Sequence, residues 1–212
     1  YCFRRHFPYR DANPVSDKLE RAFSYLRQHP DITEIILSGG DPLMLPDSRL
    51  RPLVQQLAEI RQLQTLRIHT RLPVVLPERI DDELLSWVRE VPLKVVMVVH
   101  CNHPNEIDAA VQQALQRLAQ AGVTLLNQSV LLRGINDDAA TLIGLSKALF
   151  TAGVLPYYLH QLDRVRGAAH FEVDTATACR LAREISVALP GYLVPRLVRE
   201  LPGHPGKTPL QP

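Results

Sequence analysis

Polar residues suited to catalysis follow several short apolar stretches of the 212-residue chain. Their side chains are carboxylates, imidazoles and amides, the groups that bind cations and transfer protons in enzymes. They occur as Ser38-Gly39-Gly40-Asp41, His69-Thr70-Arg71, His100-Cys101-Asn102-His103, Asn127-Gln128-Ser129 and His160-Gln161-Leu162-Asp163. If the apolar stretches are strands of one parallel sheet, their carboxyl ends meet at one rim, so these side chains are predicted to form a site.

Two further residues have reactive side chains. Lys207 lies in a segment rich in glycine and proline, and an unprotonated lysine amine bonds covalently to an aldehyde. Cys2 lies close to Arg4 and His6, and neighbouring cations favour the thiolate form that reacts or binds metal. A solvent-exposed linker lysine and a solvated basic stretch are the alternatives that the residues leave open.

The other motifs have simpler interpretations on local grounds. Gly39-Gly40-Asp41 is typical of a turn after a strand, where glycine allows positive φ and Asp caps the turn. The spacing of His100, Cys101 and His103 matches no standard zinc pattern, which favours Cys101 as a small buried residue. Cys179 is predicted to be structural, on a helix.

The elements that must position these residues alternate between strand and helix patterns. Strands are predicted at 34–38, 65–70, 94–100, 124–130 and 155–162, with a last one at 192–198. Helices are predicted at 107–121, 138–152 and 175–189, and another opens at Arg51-Pro52, with the proline near its first turn. Strand centres roughly 30 residues apart predict an α/β protein with a parallel sheet, either a partial barrel or an open doubly wound sheet.

Composition excludes several classes of protein. Apolar residues make up 46% and the formal net charge is +2, which argues against disorder and against a dedicated nucleic-acid binder. No apolar run approaches the ~20 residues that span a bilayer, so we expect no membrane partner and a cytoplasmic location. Three cysteines argue against a disulfide framework. Because the chain opens at Tyr1-Cys2 without Met, we expect it to be a piece of a longer protein.

Seven phrases along the whole chain resemble, in order, the lysine 2,3-aminomutase family of radical S-adenosylmethionine enzymes. They are YCFRRHFPYR, SGGDPLM, RIHTRLPVVLPERI, NHPNEID, LLNQSVLLRGIND, PYYLHQLDRVRGAAHF and PGHPGKTPL. The resemblance implies a partial (β/α)6 radical-SAM-type barrel over residues 1–190, here lacking its first strand, followed by a C-terminal strand and cofactor-lysine segment over residues 191–212.

The resemblance also implies roles for individual residues. Cys2 matches the third ligand of a [4Fe–4S] cluster, and Lys207 matches the lysine that holds pyridoxal 5′-phosphate covalently. Arg4 matches the residue that binds the substrate carboxylate, and Asp163 and Glu200 match two acids that hold the distal ammonium of lysine; the free-lysine aminomutases of the family have Asp where this chain has Glu200. The positions that match the S-adenosyl-L-methionine pocket are Gly39, Gly40, Asp41, His100 and Gln128.

The activity implied is an isomerase that converts L-α-lysine to (R)-β-lysine by radical 2,3-amino migration. Within the family, the resemblance favours members that supply β-lysine for modification of elongation factor P, with L-lysine and an electron donor as partners. A free-lysine 2,3-aminomutase of catabolism or osmolyte synthesis is an alternative, and a non-catalytic barrel remnant that binds a nucleotide or protein partner is another. We expect the fragment by itself to be inactive. The cluster needs three thiolate ligands from one motif, Cys2 matches only the third, and Cys101 and Cys179 match no cluster position.

Overall fold

The computed structural model describes residues 16–201, 203–204 and 206–210. Cys2 and Arg4 therefore lie outside the described residues, and their predicted roles are not examined by the structure. Among the described helices, none has both the length and the hydropathy that a membrane span requires.

Seven strands form one curled sheet in the order β1 to β7. They are β1 (Glu34–Leu37), β2 (Thr65–Thr70), β3 (Lys94–Val99), β4 (Thr124–Leu131), β5 (Leu155–Gln161), β6 (Arg196–Arg199) and β7 (Thr208–Pro209). The first six are parallel to their neighbours, and β7 runs antiparallel to β6. The predicted parallel sheet is confirmed, and β7 is an addition that the sequence pattern did not predict.

The last parallel strand begins later than predicted. Residues 191–193 form a 3₁₀ turn after Pro190, and β6 starts at Arg196. Because β6 pairs in register with β5, it continues the same sheet as the preceding strands. The division of the chain at residue 190 stays a prediction.

Seven α-helices accompany the strands in the described part of the chain. They are α1 (Ser16–Gln28), α2 (Asp47–Ala58), α3 (Leu72–Val75), α4 (Asp82–Glu90), α5 (Ala109–Gln120), α6 (Ala139–Thr151) and α7 (Thr175–Ala188). The three predicted helices at 107–121, 138–152 and 175–189 are present, each capped by an aspartate side chain that accepts a backbone N–H of the first turn. Gly122 and Gly153 follow two of them with φ of 88° and 83°, as a left-handed C-terminal cap requires.

The prediction for α2 was wrong in its start. The helix begins at Asp47, so Pro52 lies inside it, beyond the first turn. The start is fixed from outside the helix, because the buried Asp47 carboxylate accepts hydrogen bonds from Trp87 Nε1 at 2.6 Å and from Arg79 Nη2 at 3.0 Å. This tertiary contact outweighs the cost of a proline in the helix.

The helices cover one face of the sheet, and this determines which strand residues face the other side. Alternate residues such as Leu66, Ile68 and Met97 pack beneath the helices in the main core cluster. Since side chains alternate between the two faces of a strand, His69 and His100 face the concave side. The fold therefore leaves a row of polar side chains inside the half-barrel, below the rim.

Candidate active site

The Gly39-Gly40-Asp41 segment ties the first two strands together at the rim. Gly39 has φ of 121°, which a residue with a Cβ rarely adopts. The Asp41 carboxylate accepts Leu43 N at 3.1 Å, Thr70 Oγ1 at 2.6 Å and Arg71 N at 2.6 Å. These bonds support the turn interpretation for Asp41, whose predicted part in holding an ammonium, like those of Gly39 and Gly40, stays a prediction.

Buried asparagines join the ends of β3 and β4. Asn127 Oδ1 accepts Cys101 N at 2.9 Å, and Asn127 Nδ2 donates to Cys101 O at 3.1 Å. Asn136 Nδ2 donates to Asn102 O at 2.8 Å and to Val130 O at 2.9 Å. Each asparagine side chain supplies hydrogen bonds to backbone groups at the point where β3 and β4 diverge and no longer pair with each other. These bonds hold the backbone next to His100 and Gln128 in place.

Cys101 lies inside this asparagine network. It is fully buried, and burial raises the pKa of its thiol to about 12. A thiol at that pKa stays protonated at neutral pH and is a poor nucleophile or metal ligand. The prediction of a small buried residue is confirmed for Cys101; Cys179 is half-buried on α7, where it packs against the second core cluster.

His100 and Gln128 face the concave side of the sheet. The rings of His69 and His100 meet edge to face, with centroids 6.0 Å apart. Gln128 pairs in register with Tyr158 across β4 and β5. Its buried Oε1 has no hydrogen-bond partner among the residues that the structure describes, which is uncommon for a buried polar atom.

Lys207 and Glu200 are brought together by the antiparallel pairing of β6 and β7. Arg199 pairs with Thr208, which puts Glu200 and Lys207 side by side at the next position. Lys207 Nζ lies 3.0 Å from Glu200 Oε1, and it also lies 5.5 Å from the centre of the Tyr158 ring. The side chains of Lys207 and Glu200 are 28% and 46% exposed, so the pair is partly in contact with solvent.

Asp163 shares this environment. Burial raises the pKa of Asp163, the negative charge of Glu200 raises it further, and the positive charge of Lys207 partly lowers it. The two carboxylates predicted to hold an ammonium therefore lie close enough to interact electrostatically. The structure brings Lys207, Asp163 and Glu200 into one cluster.

His160 interacts electrostatically with Lys207 and Glu200 of this cluster, and sequence analysis placed it among the polar residues of the predicted site without a specific role. Its side chain is 8% exposed, and its Nε2 atom has no hydrogen-bond partner among the described residues. Burial lowers the pKa of His160 to about 4, with Lys207 also lowering it and Glu200 opposing the change. The imidazole is therefore neutral at pH 7. The feature of the sequence that pointed to His160 was its position on β5, two residues after Tyr158 and three before Asp163.

The cluster fits an aldehyde cofactor better than a metal ion. It contains a half-buried lysine amine, two carboxylates and a neutral imidazole with an unused ring nitrogen, which suit a covalently held polar molecule and an ammonium. Over the described part of the chain, no group of three His, Cys, Asp or Glu side chains is placed to hold a metal. The predicted cluster ligand Cys2 lies outside the described residues.

Solved structures define the class of the fold. A radical SAM methyltransferase from Sphaerobacter thermophilus superposes with a TM-score of 0.62 at 15% identity, covering 86% of this chain and 57% of that one. A domain of pyruvate-formate lyase-activating enzyme from Bacteroides vulgatus gives a TM-score of 0.55 at 11% identity, covering 79% of this chain and 98% of that one. The chain has the architecture of a partial radical-SAM-type barrel, as predicted.

Sequence relatives define the family. The chain is 51% identical over 210 residues to the L-lysine 2,3-aminomutase of Escherichia coli (strain K12), covering 99% of this chain and 61% of that protein. It is 53% identical to the enzyme of that name from Haemophilus influenzae, covering 98% and 62%, and 38% identical to that of Clostridium subterminale, covering 100% and 51%. No protein-family model matches the chain. The chain belongs to the lysine 2,3-aminomutase family of radical S-adenosylmethionine enzymes, and it spans about three fifths of the length of the first two relatives.

Proposed function

We propose that the protein to which this chain belongs converts L-α-lysine to (R)-β-lysine by 2,3-amino migration. The observation that carries the proposal is the cluster of Lys207, Glu200 and Asp163 beside the neutral His160, in a chain that is half identical to relatives named L-lysine 2,3-aminomutase. An amine nucleophile next to paired carboxylates suits an amino acid that carries a second ammonium group.

Lys207 is the proposed attachment point of pyridoxal 5′-phosphate. S-adenosyl-L-methionine on a [4Fe–4S] cluster would supply a carbon radical, and pyridoxal phosphate would stabilise the radical that forms during nitrogen migration. Tyr158 lines one side of the Lys207 amine, and His160 offers a neutral hydrogen-bonding nitrogen at the same place. Tyr158 and His160 would orient the groups bound at Lys207.

Asp163 and Glu200 are the proposed binding site for the distal ammonium of lysine. Burial raises the pKa of Asp163 and the negative charge of Glu200 raises it further, so a cation bound between the two carboxylates would favour their ionised forms. Arg4 is proposed to bind the substrate carboxylate at the other end of the molecule. The distance between the Arg4 guanidinium and the two carboxylates would then select an amino acid of the length of lysine.

The other assigned residues belong to the proposed cofactor sites. Cys2 is proposed as one cluster ligand. Gly39, Gly40, Asp41, His100 and Gln128 are proposed to line the S-adenosylmethionine pocket. The buried Gln128 Oε1, which has no hydrogen-bond partner among the described residues, supports this assignment. An external one-electron donor is required for the radical step.

The proposed role of the product is modification of elongation factor P in the cytoplasm. Glu200, which replaces the aspartate of free-lysine enzymes, favours this role over lysine catabolism or osmolyte synthesis. The test is deletion of the gene followed by mass spectrometry of elongation factor P. We expect loss of β-lysylated elongation factor P; unchanged modification would favour the free-lysine alternative.

The decisive test of the activity uses the full-length protein with its cofactors restored. We expect turnover of L-lysine to β-lysine and a near-visible absorbance band from bound pyridoxal phosphate. Lys207→Ala should abolish both, and Asp163→Asn should raise KM for lysine by roughly tenfold or more. Glu184→Gln, which changes an exposed carboxylate paired with Arg180 on α7, is the matched control and should leave both unchanged. No absorbance and no turnover would favour a non-catalytic remnant.

A further inference from the structure

Glu200 has a contact that its proposed part in substrate binding does not explain. Its Oε1 atom lies 3.0 Å from Lys207 Nζ, so the carboxylate assigned to the ammonium of the substrate is paired with an ammonium of the protein itself. The pairing follows from backbone register, since β7 runs beside β6 and puts the two residues at adjacent positions. Loss of the β6–β7 pairing would therefore be needed to separate them widely.

The charged and titratable groups facing Lys207 come from two strands and the segments that follow them. Glu200 follows β6 and touches the amine, while Asp163 follows β5 and acts on it at longer range. Tyr158 presents its ring face to the amine, and His160 is neutral near pH 7 because burial lowers its pKa to about 4. Since His160 is uncharged, Glu200 is the charged group in direct contact with the Lys207 amine, and Asp163 is a second negative charge at longer range.

A lysine must lose its proton before it can bond to an aldehyde. The unprotonated nitrogen attacks the aldehyde carbon, a carbon–nitrogen bond forms, and the aldehyde oxygen leaves as water. No electrons are transferred in this step, and the ammonium proton passes to a base or to solvent. A carboxylate in contact with the ammonium stabilises the protonated form, and so opposes the start of this reaction.

We propose that Glu200 is the counter-ion of Lys207 in the cofactor-free protein and controls attachment of pyridoxal phosphate, in addition to its role toward the substrate. This inference rests on the proposed function, because it assumes the same lysine and the same cofactor. Once Lys207 has bonded to the aldehyde, it no longer carries the ammonium that pairs with Glu200. The carboxylate is then released to the ammonium of the substrate, so the cofactor must be loaded before lysine binds.

The first experiment measures the reactivity of Lys207 without the cofactor. Full-length protein free of pyridoxal phosphate is labelled with acetic anhydride at a series of pH values, and modification of Lys207 is followed by peptide mass spectrometry. Glu200→Gln keeps the size of the side chain and removes its charge. We expect labelling of Lys207 in this variant to be roughly two- to fivefold faster than in the unmodified protein below the pH of full reactivity, as for a partly exposed ion pair.

Two control variants separate contact from general charge. Asp163→Asn removes a carboxylate that acts on Lys207 without a hydrogen bond, and it should speed labelling by less than Glu200→Gln does. Glu184→Gln removes an equal charge at the Arg180 pair on α7 and should leave labelling of Lys207 unchanged. Equal rates in Glu200→Gln and Glu184→Gln would overturn the inference.

The second experiment uses pyridoxal phosphate itself, with the adduct fixed by borohydride reduction and located by mass spectrometry. We expect an adduct at Lys207 that forms at lower pH in Glu200→Gln than in the unmodified protein. An adduct whose pH dependence is the same in both proteins would refute the counter-ion role while leaving the proposed function intact. Absence of any adduct at Lys207 would instead refute the proposed cofactor lysine and, with it, the control that Glu200 exerts on loading.

Discussion

At the scale of single residues, His160 shows how burial sets a protonation state. Its imidazole is 8% exposed, and its pKa is lowered to about 4, first by burial and then by the charge of Lys207. A neutral ring near a lysine amine adds no positive charge to a site that is proposed to bind an ammonium group. His160 thus keeps the cluster favourable to ammonium groups.

The burial of neutral His160 makes stability depend on pH. The pKa of His160 is about 4 in the folded protein and 6.5 for an ordinary histidine, the value taken for the unfolded chain. Between pH 4 and 6.5, the unfolded chain therefore binds more protons than the folded protein. Stability from this residue is therefore complete above pH 6.5 and falls as the pH drops toward 4, by about 3 kcal/mol at most. In His160→Phe, we expect urea unfolding to show a smaller loss of stability between about pH 7 and about pH 5.

The control for this prediction is an exposed histidine. His170 lies on the surface in the 3₁₀ turn Ala169–Phe171. His170→Phe should leave the pH dependence of the unfolding free energy as it is. If His160→Phe and the unmodified protein lose stability in parallel, His160 is not the group responsible.

At the scale of secondary-structure elements, β7 positions the lysine. Leu210 N donates to Leu197 O at 3.0 Å, which anchors the end of β7 against β6. Leu210→Pro removes this donor, and we expect it to lower formation of the pyridoxal phosphate adduct at Lys207, because the amine is no longer held beside β6. The measurement is borohydride trapping with mass spectrometry.

Leu210→Ala provides the comparison for the β7 prediction. It keeps the N–H and removes part of the side chain that packs on the second core cluster. We expect adduct formation in Leu210→Ala to stay close to that of the unmodified protein. A loss as large as in Leu210→Pro would mean that packing, and not the β6–β7 pairing, holds Lys207.

The asparagine network between β3 and β4 is a second positioning element. Asn136 is fully buried and makes hydrogen bonds to Leu132 N, Asn102 O and Val130 O. Asn136→Ala leaves these backbone groups without that partner, so we expect a loss of about 2–4 kcal/mol in the free energy of unfolding. Chemical denaturation measures this loss. The exposed Asn105→Ala should change stability by less than about 0.5 kcal/mol, and a similar result for Asn136→Ala would contradict the positioning role.

At the scale of the whole molecule, the half-barrel has helices packed on one face and polar residues on the other. A ligand that binds only the folded protein should therefore stabilise all of it, since one sheet carries every proposed site residue that the structure describes. We expect pyridoxal phosphate to raise the Tm of the full-length protein. At a hundredfold excess over its Kd, it should add about 2–3 kcal/mol to the free energy of unfolding. Thermal unfolding of Lys207→Ala, which should show no such shift, is the control.

The parallel strands and the helices α5, α6 and α7 could be predicted from the sequence, because their signals are local, whereas α1 was not predicted. Apolar stretches mark β1 to β5. A glycine with positive φ follows two of the helices. Other elements are set by distant contacts. The start of α2 depends on Trp87 and Arg79, and the two-residue β7 depends on its pairing with β6. Neither leaves a periodic pattern in the sequence.

For the candidate site, the sequence alone determined that polar residues meet at the carboxyl ends of the strands, together with the family motifs that name Lys207, Asp163 and Glu200. Only the tertiary structure decided that Glu200 pairs with Lys207 and that His160 joins them. A register shift between Asn127 and Gln128 puts Tyr158 beside Gln128, and the pairing of β7 puts Lys207 beside Glu200. The sequence determines the type of each residue and its position along a strand. Register and burial depend on the neighbouring strands. Burial determines the protonation state of His160, and register determines the partner of Lys207.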